Sequence, residues 1–289
     1  MTDLPRFGQR SSQPAVSCPR HPHLPAVSVC KRCGRGTCAD CTIHTEVGTI
    51  CPECANETTR ARTRRPSRLA GKSVTTWILG ITTVVSLLAM VLPQIQSTLL
   101  YAPVLSSSEP WRLLTVALVH GGLLHLALNM FSLYIVGSPV EQALGAGRYL
   151  VLYAASAIGG SLFVLLWALF DSQMLVTATV GASGALFGLF AAVYVLQKSV
   201  GADTRSITVL LAVNLVYGFI VSNVSWQAHV GGLLVGAFVT WMLVRLGRPR
   251  AGKTQKQQQQ TTVIASVLVF VALIAINYGL FWLLTVFYG

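Results

Sequence analysis

Val180-Gly181-Ala182-Ser183-Gly184-Ala185-Leu186-Phe187-Gly188 opens an apolar run that continues through Val195 and stops at Gln197-Lys198. Read as a helix from Ser183 to Gln197 it has 15 residues, and at ~1.5 Å per residue it rises only ~22 Å. The hydrocarbon core of a bilayer is ~30 Å thick. A helix this short starts below the membrane surface, and its first residue is a serine in a water-filled recess. A second reading is open: Gly184 and Gly188 form a small-xxx-small packing face, and Ser183 satisfies a backbone carbonyl. The rest of the chain decides between them.

The composition places that run in a membrane. The 289 residues are 53% apolar and only 10% charged, and the mean hydropathy is +0.62. Charge-poor runs of spanning length recur from residue 74 onward, which is the pattern of a polytopic membrane protein and not of a soluble domain. The net charge of +12 invites a nucleic-acid reading, but its distribution among the loops opposes it.

The first 72 residues differ in kind. Residues 1–17 read as an unstructured tail, and no apolar h-region marks a secretory signal. All seven cysteines follow in four knuckles: Cys18-x-x-His21, Cys30-x-x-Cys33, Cys38-x-x-Cys41 and Cys51-x-x-Cys54. Eight ligands suit two tetrahedral Zn²⁺, whereas an odd cysteine count suits a disulfide framework poorly. Interleaved pairs of this kind are expected to cross-brace, knuckle one with three and two with four. The spacing resembles the B-box type of zinc finger over residues 18–55. His23 and His44 read as surface histidines. Thiolate ligands require a reducing compartment, so this domain is expected in the cytosol. With all eight positions filled by protein, its zinc is structural, and a protein partner suits it better than nucleic acid.

Residues 56–73 form a basic linker with Arg60, Arg62, Arg64, Arg65, Arg68 and Lys72, the positive-inside anchor of a first helix. Seven spans follow, at about 74–93, 118–137, 149–170, 183–197, 206–222, 228–246 and 262–287, with a basic, glutamine-rich cytosolic linker over 247–261. Loops after spans two, four and six hold Arg148, Lys198, Arg205 and the cluster Arg245, Arg248, Arg250, Lys253 and Lys256; the opposite loops hold only Arg112. This asymmetry predicts a cytosolic N-terminus and an extracellular C-terminus in the plasma membrane.

Ionisable and polar side chains inside spans are costly and therefore functional suspects. Those singled out are His120, His125 and Asn129 near the start of span two, Ser183 at the start of span four and His229 at the start of span six. Even-numbered spans run from outside to inside, so all five fall in the outer third. His125 and Asn129 are i and i+4, on one helical face. Both can donate N–H groups, and Ser183 at a helix N-terminus adds unpaired backbone N–H groups. Converging donors beside a serine suit an acyl-transfer transition state, and His229 supplies the base the hydroxyl needs. No carboxylate shares that depth, which leaves a Ser-His dyad and not a triad.

Over residues 74–246 the chain resembles the rhomboid intramembrane serine proteases. The resemblance rests on Trp111-Arg112, His120-x4-His125-x3-Asn129, Gly181-Ala182-Ser183-Gly184 and Ala228-His229-x-x-Gly232-x3-Gly236. It implies an all-α polytopic fold with a six-helix core; the C-terminal seventh helix at 262–289 (6+1) and the small zinc-binding domain before the core are additions to it. It implies Ser183 as nucleophile and His229 as general base, with His125, Asn129 and the Ser183 N–H stabilising the oxyanion. His120, Trp111, Arg112, Gly181, Gly184 and Phe187 would support them, with no cofactor in catalysis. Many members carry tyrosine where this chain has Phe187, so the ring is kept and its hydroxyl lost. Gly231, Gly232 and Gly236 would let span six approach span four. The expected substrates are transmembrane proteins in the bilayer, cut near the outer face. The alternatives are a catalytically inactive relative that binds membrane proteins, which the complete residue set opposes, and a transporter, which would need a polar path across the inner halves of the spans.

Overall fold

A computed structural model describes residues 17–31, 33–45, 48–55, 73–221, 224–247 and 254–288. Residues 1–16 of the expected tail, the basic residues of the expected 56–73 linker, and Arg248, Arg250 and Lys253 lie outside the described residues, whereas Ser17, expected in the tail, begins the first strand. The chain divides into two units, Met1–Gly71 and Lys72–Gly289.

The described residues of the first unit form three small antiparallel hairpins: β1 (Ser17–Cys18) with β2 (His21–Pro25), β3 (Ser28–Val29) with β4 (Gly36–Thr37), and β5 (Ile43–Thr45) with β6 (Gly48–Ile50). Its buried apolar residues are cysteines, with Leu24 and Ile50 packed beside them. A unit this small cannot bury enough apolar surface to hold itself together and needs a cross-link or a metal.

The second unit is helical. Its elements are α1 (Val74–Val91), α2 (Pro93–Leu99), α3 (Arg112–Thr115), α4 (Leu123–Leu144), α5 (Ala146–Trp167), α6 (Ser183–Ser199), α7 (Arg205–Ile220), α8 (Trp226–Gly247) and α9 (Gln255–Tyr288). Five of them, α1, α4, α5, α8 and α9, are long and apolar enough to cross a membrane on their own. The other two of comparable size are short, α6 with 17 residues and α7 with 16.

Three helices form the centre. α5, α6 and α8 pack against one another, and glycines set how closely. A methyl added at Gly232 would overlap the Gly184 carbonyl, and one at Gly236 would overlap Gly188. On α5, a methyl at Gly160 would lie 2.9 Å from the Ala228 carbonyl. Close backbone approach of this kind needs small residues on both helices. Gly231 serves differently from its neighbours: it faces Gly159 and Phe163 on α5 and not α6.

Two helix boundaries differ from expectation. The second long helix begins at Leu123 and runs through Pro139 to Leu144, so His120 stands in the extended segment before it. The last helix begins at Gln255, inside the segment expected to be a linker. There the Thr254 hydroxyl accepts from Gln257 N–H at 3.3 Å while the Gln257 amide oxygen accepts from Thr254 N–H at 2.9 Å. This reciprocal capping box nucleates the glutamine run as helix.

Two polar clamps hold the first segment of the unit. Glu141 near the end of α4 accepts from the backbone N–H groups of Val74 and Thr75 at 2.8 and 2.9 Å and from the Thr75 hydroxyl at 2.7 Å. A carboxylate there satisfies orphan donors and suits the positive end of the α1 dipole. The buried Arg112 pairs with Glu109 at 2.7 Å and donates to the Ser97 and Leu100 carbonyls at 2.6 and 2.8 Å. It thereby ties the loop to the C-terminal end of α2.

Candidate active site

The nucleophile candidate sits on a loop pinned from two sides. Gly181 N–H donates to the Val116 carbonyl at 3.0 Å, and Ala182 N–H donates to His120 Nε2 at 3.3 Å. His120 Nδ1 faces the Ser86 hydroxyl at 2.9 Å, and Ser86 itself donates to the Leu118 carbonyl at 2.7 Å. Ser86 has one proton and gives it to that carbonyl, so His120 Nδ1 is the donor and Nε2 the acceptor. The ring is therefore a neutral strut from α1 to the serine loop.

Gly181 has φ of +124°, a conformation that favours glycine. A Cβ there would stand 2.8 Å from His125 Cε1, 3.0 Å from His125 Nε2 and 3.9 Å from Ser183 Oγ. The Cε1–Nε2 edge of the His125 imidazole thus lies against the Gly181 backbone, on the approach to the serine hydroxyl. Gly121 N–H donates to its Nδ1 at 3.4 Å, which leaves the ring proton on Nε2, the nitrogen on the serine side.

Asn129, one turn along α4, donates from Nδ2 to the His125 carbonyl at 2.9 Å. The amide keeps a second N–H. Ser183 is the first residue of α6, and no side chain caps that helix. Its first-turn N–H groups, that of Ser183 among them, stay available for a ligand.

His229 lies in the first turn of α8, and its ring is stacked on Phe187 with centroids 4.1 Å apart and planes 11° from parallel. Phe187 is four residues after Ser183, so one face of α6 carries both the serine and the platform for the imidazole. Gly218 of α7 backs the ring, since a methyl there would stand 3.2 Å from His229 Nδ1. Among the described residues that Nδ1 has no hydrogen-bond partner. Ser183, His229, His125, Asn129, Phe187 and Gly218 line one cavity of about 1010 Å³. No direct hydrogen bond joins Ser183 to His229 among the described residues, a separation common in sites without substrate.

Of the Trp111-Arg112 pair, Trp111 is half exposed at 49%, whereas Arg112 is buried and holds its loop. Sequence reading passed over Ser86, Glu109, Glu141 and Gly218. Glu109 precedes Arg112 by three residues, a pairing distance on a helical turn; Ser86 and Gly218 carry no signal beyond being polar or small in an apolar run.

The zinc-type knuckles meet in two groups. The ligand atoms of Cys18, His21, Cys38 and Cys41 lie within 4.8 Å of one another, as do those of Cys30, Cys33, Cys51 and Cys54. Cys33 Sγ and Cys51 Sγ are 3.7 Å apart, and His21 Nδ1 is 3.3 and 3.4 Å from the sulfurs of Cys38 and Cys41. A tetrahedral ion with Zn–S of ~2.3 Å and Zn–N of ~2.0 Å requires edges of ~3.8 and ~3.5 Å, so the donor set fits. Without a cation the thiols oppose one another. Burial and the adjoining Cys38 and Cys18 sulfurs push Cys41 up to about 11, and the Cys51 thiol, then burial, pushes Cys54 up to about 12.

The Rhomboid domain family matches residues 107–246. The rhomboid protease GluP of Bacillus subtilis is 36% identical over 181 residues, 61% of this chain and 33% of GluP. RHOMBOID-like protein 5 of Arabidopsis thaliana is 38% identical over 151 residues, 50% of this chain and 47% of that protein. YdcA of Bacillus subtilis is 34% identical over 146 residues, 48% of this chain and 70% of YdcA. The chain thus spans a third of GluP and about half of the plant relative.

Proposed function

Because the chain belongs to the rhomboid family, we propose that it is an intramembrane serine endopeptidase working through a Ser183–His229 dyad. The observation that carries this reading is the single cavity lined by Ser183, His229, His125 and Asn129. His229 takes the Ser183 proton as Oγ attacks the substrate carbonyl carbon. The oxyanion is held by His125 Nε2–H, the free N–H of Asn129 and the Ser183 backbone N–H. Collapse breaks the C–N bond, and His229 returns its proton to the departing amine. Water, deprotonated by His229, then attacks the acyl ester and releases the new carboxylate with Ser183 regenerated.

The bond cut belongs to a transmembrane protein, near the extracellular face. Seven spans in a 6+1 arrangement, with the N-terminus cytosolic, support that side: even-numbered helices then start outside, where α4, α6 and α8 carry His125, Ser183 and His229. The loop-charge asymmetry supports that orientation, and the membrane it refers to is the plasma membrane. The N-terminal unit holds two structural Zn²⁺, one on Cys18, His21, Cys38 and Cys41 and the other on Cys30, Cys33, Cys51 and Cys54. It is B-box-like, serves a cytosolic protein partner and takes no part in the chemistry.

The test is cleavage of a transmembrane substrate in proteoliposomes. Ser183→Ala and His229→Ala should each abolish it, and the double variant should be no worse than either, since the pair acts as a unit. Residual cleavage by Ser183→Ala at more than about a hundredth of the parent rate would refute the dyad.

A further inference from the structure

α9 follows the six-helix core and packs mainly against α5 and α8. One of its buried residues is out of keeping with a packing helix. Asn277 is fully buried, and its Nδ2 donates to the Ser106 backbone carbonyl at 2.9 Å. Burying an amide is costly, and a similarly sized apolar side chain would avoid that cost. The other buried polar residues of α9, Thr262 and Ser266, bond only within their own helix, to the Gln258 and Thr262 carbonyls. Asn277 alone among those three reaches out of the helix.

What it reaches is joined to the serine loop. Ser106 closes a tight turn, with its N–H on the Pro103 carbonyl at 3.0 Å, while Leu105 N–H is on the Ala102 carbonyl at 3.0 Å. That turn begins at Tyr101, which exchanges two backbone hydrogen bonds with Thr179 at 3.0 and 2.7 Å. Thr179 is two residues before Gly181 and four before Ser183. Tyr101, Ser106 and Asn277 are all fully buried. Backbone and hydrogen bonds together therefore connect α9, through the 101–106 turn and the Tyr101–Thr179 bridge, to the segment that presents the nucleophile.

We propose that Asn277 is a positioning residue for Ser183: its hydrogen bond to Ser106 fixes the 101–106 turn, which through the Tyr101–Thr179 bridge fixes the serine loop. The inference rests on the protease reading above. Loosening a nucleophile by a fraction of an ångström costs rate and leaves substrate affinity alone.

The experiment uses the full chain in proteoliposomes and follows labelling of Ser183 by a fluorophosphonate, kcat and KM for a transmembrane substrate, and thermal stability. Asn277→Leu keeps the branched shape and heavy-atom count, removes the donor and suits an apolar setting; Asn277→Ala removes the donor without adding volume, and the thermal stability of both shows that they fold. Both should lower the labelling rate and kcat by about 10–100-fold with KM unchanged. Leu273→Ala, one turn away on α9 and also buried, loosens the helix without touching the bond. It should lower stability while leaving labelling within about threefold of the parent. Parent-like labelling in Asn277→Leu overturns the proposal, and so does an equal loss in Leu273→Ala. A parent chain that is not labelled at Ser183 overturns the protease reading itself, and the inference falls with it.

Discussion

Substituting Gly181 by alanine probes the tightest point of the site. The residue has φ of +124°, which an L side chain adopts at a cost of about 1–3 kcal/mol. The new Cβ would also stand 2.8 Å from His125 Cε1, against the ~3.5 Å at which carbon atoms pack. The imidazole must then retreat by about 0.7 Å, or the loop must shift by as much in the other direction. Either movement separates the His125 donor from Ser183 Oγ. Misplacement of this size costs about 100-fold in rate, so Gly181→Ala should lower kcat by that order while the protein still inserts. Gly279→Ala is the control: Gly279 is helical with nothing within 4 Å of an added methyl, and it should cleave at the parent rate. Substrate cleavage in proteoliposomes, with kcat and KM resolved, reads both. A Gly181→Ala protein within about threefold of the parent kcat would show that His125 has room to move and is not held against this backbone.

Asn129→Ala and His125→Ala should each lower kcat by about 10–1,000-fold, because other oxyanion donors remain; unchanged rates in both would remove them from the chemistry. Phe187→Ala should lower kcat by about 10–100-fold through loss of the stacked platform under His229, whereas Phe187→Tyr keeps the ring face and should stay near the parent; full activity in the alanine variant would reduce the ring to core packing. Metal analysis should find about two zinc ions per chain. In the Cys18→Ala/Cys38→Ala double variant one ion should remain, since both cysteines belong to one group; loss of both ions would contradict the cross-braced pairing.

How much of this was open to sequence reading depended on whether a contact leaves a periodic or spaced trace. The Ser183, His229, His125 and Asn129 set was legible because each is polar at the start of an apolar run and the spans alternate in direction. The four knuckles were legible because metal geometry demands paired ligands. The capping box at Thr254 and Gln257 was also written plainly, yet the glutamine run around it reads as flexible linker. What left no trace were contacts across distant segments. Ser86 is an ordinary serine until His120 is seen to rest on it, and His120 looks helical until the chain around it proves extended. Glu141 falls between the expected second and third spans and drew no reading, yet it caps a helix 66 residues earlier. Gly231 and Gly232 are adjacent and face different helices, a distinction that only the packing of α5 and α6 around α8 makes.

The central claim is that Ser183 is a nucleophile activated by His229. Membranes containing the full chain, treated with a fluorophosphonate and analysed by peptide mass spectrometry, test it most directly. The adduct should sit on Ser183 and should vanish in His229→Ala, which keeps the hydroxyl and loses the base. An adduct on another residue, or undiminished labelling of Ser183 without His229, would contradict the claim.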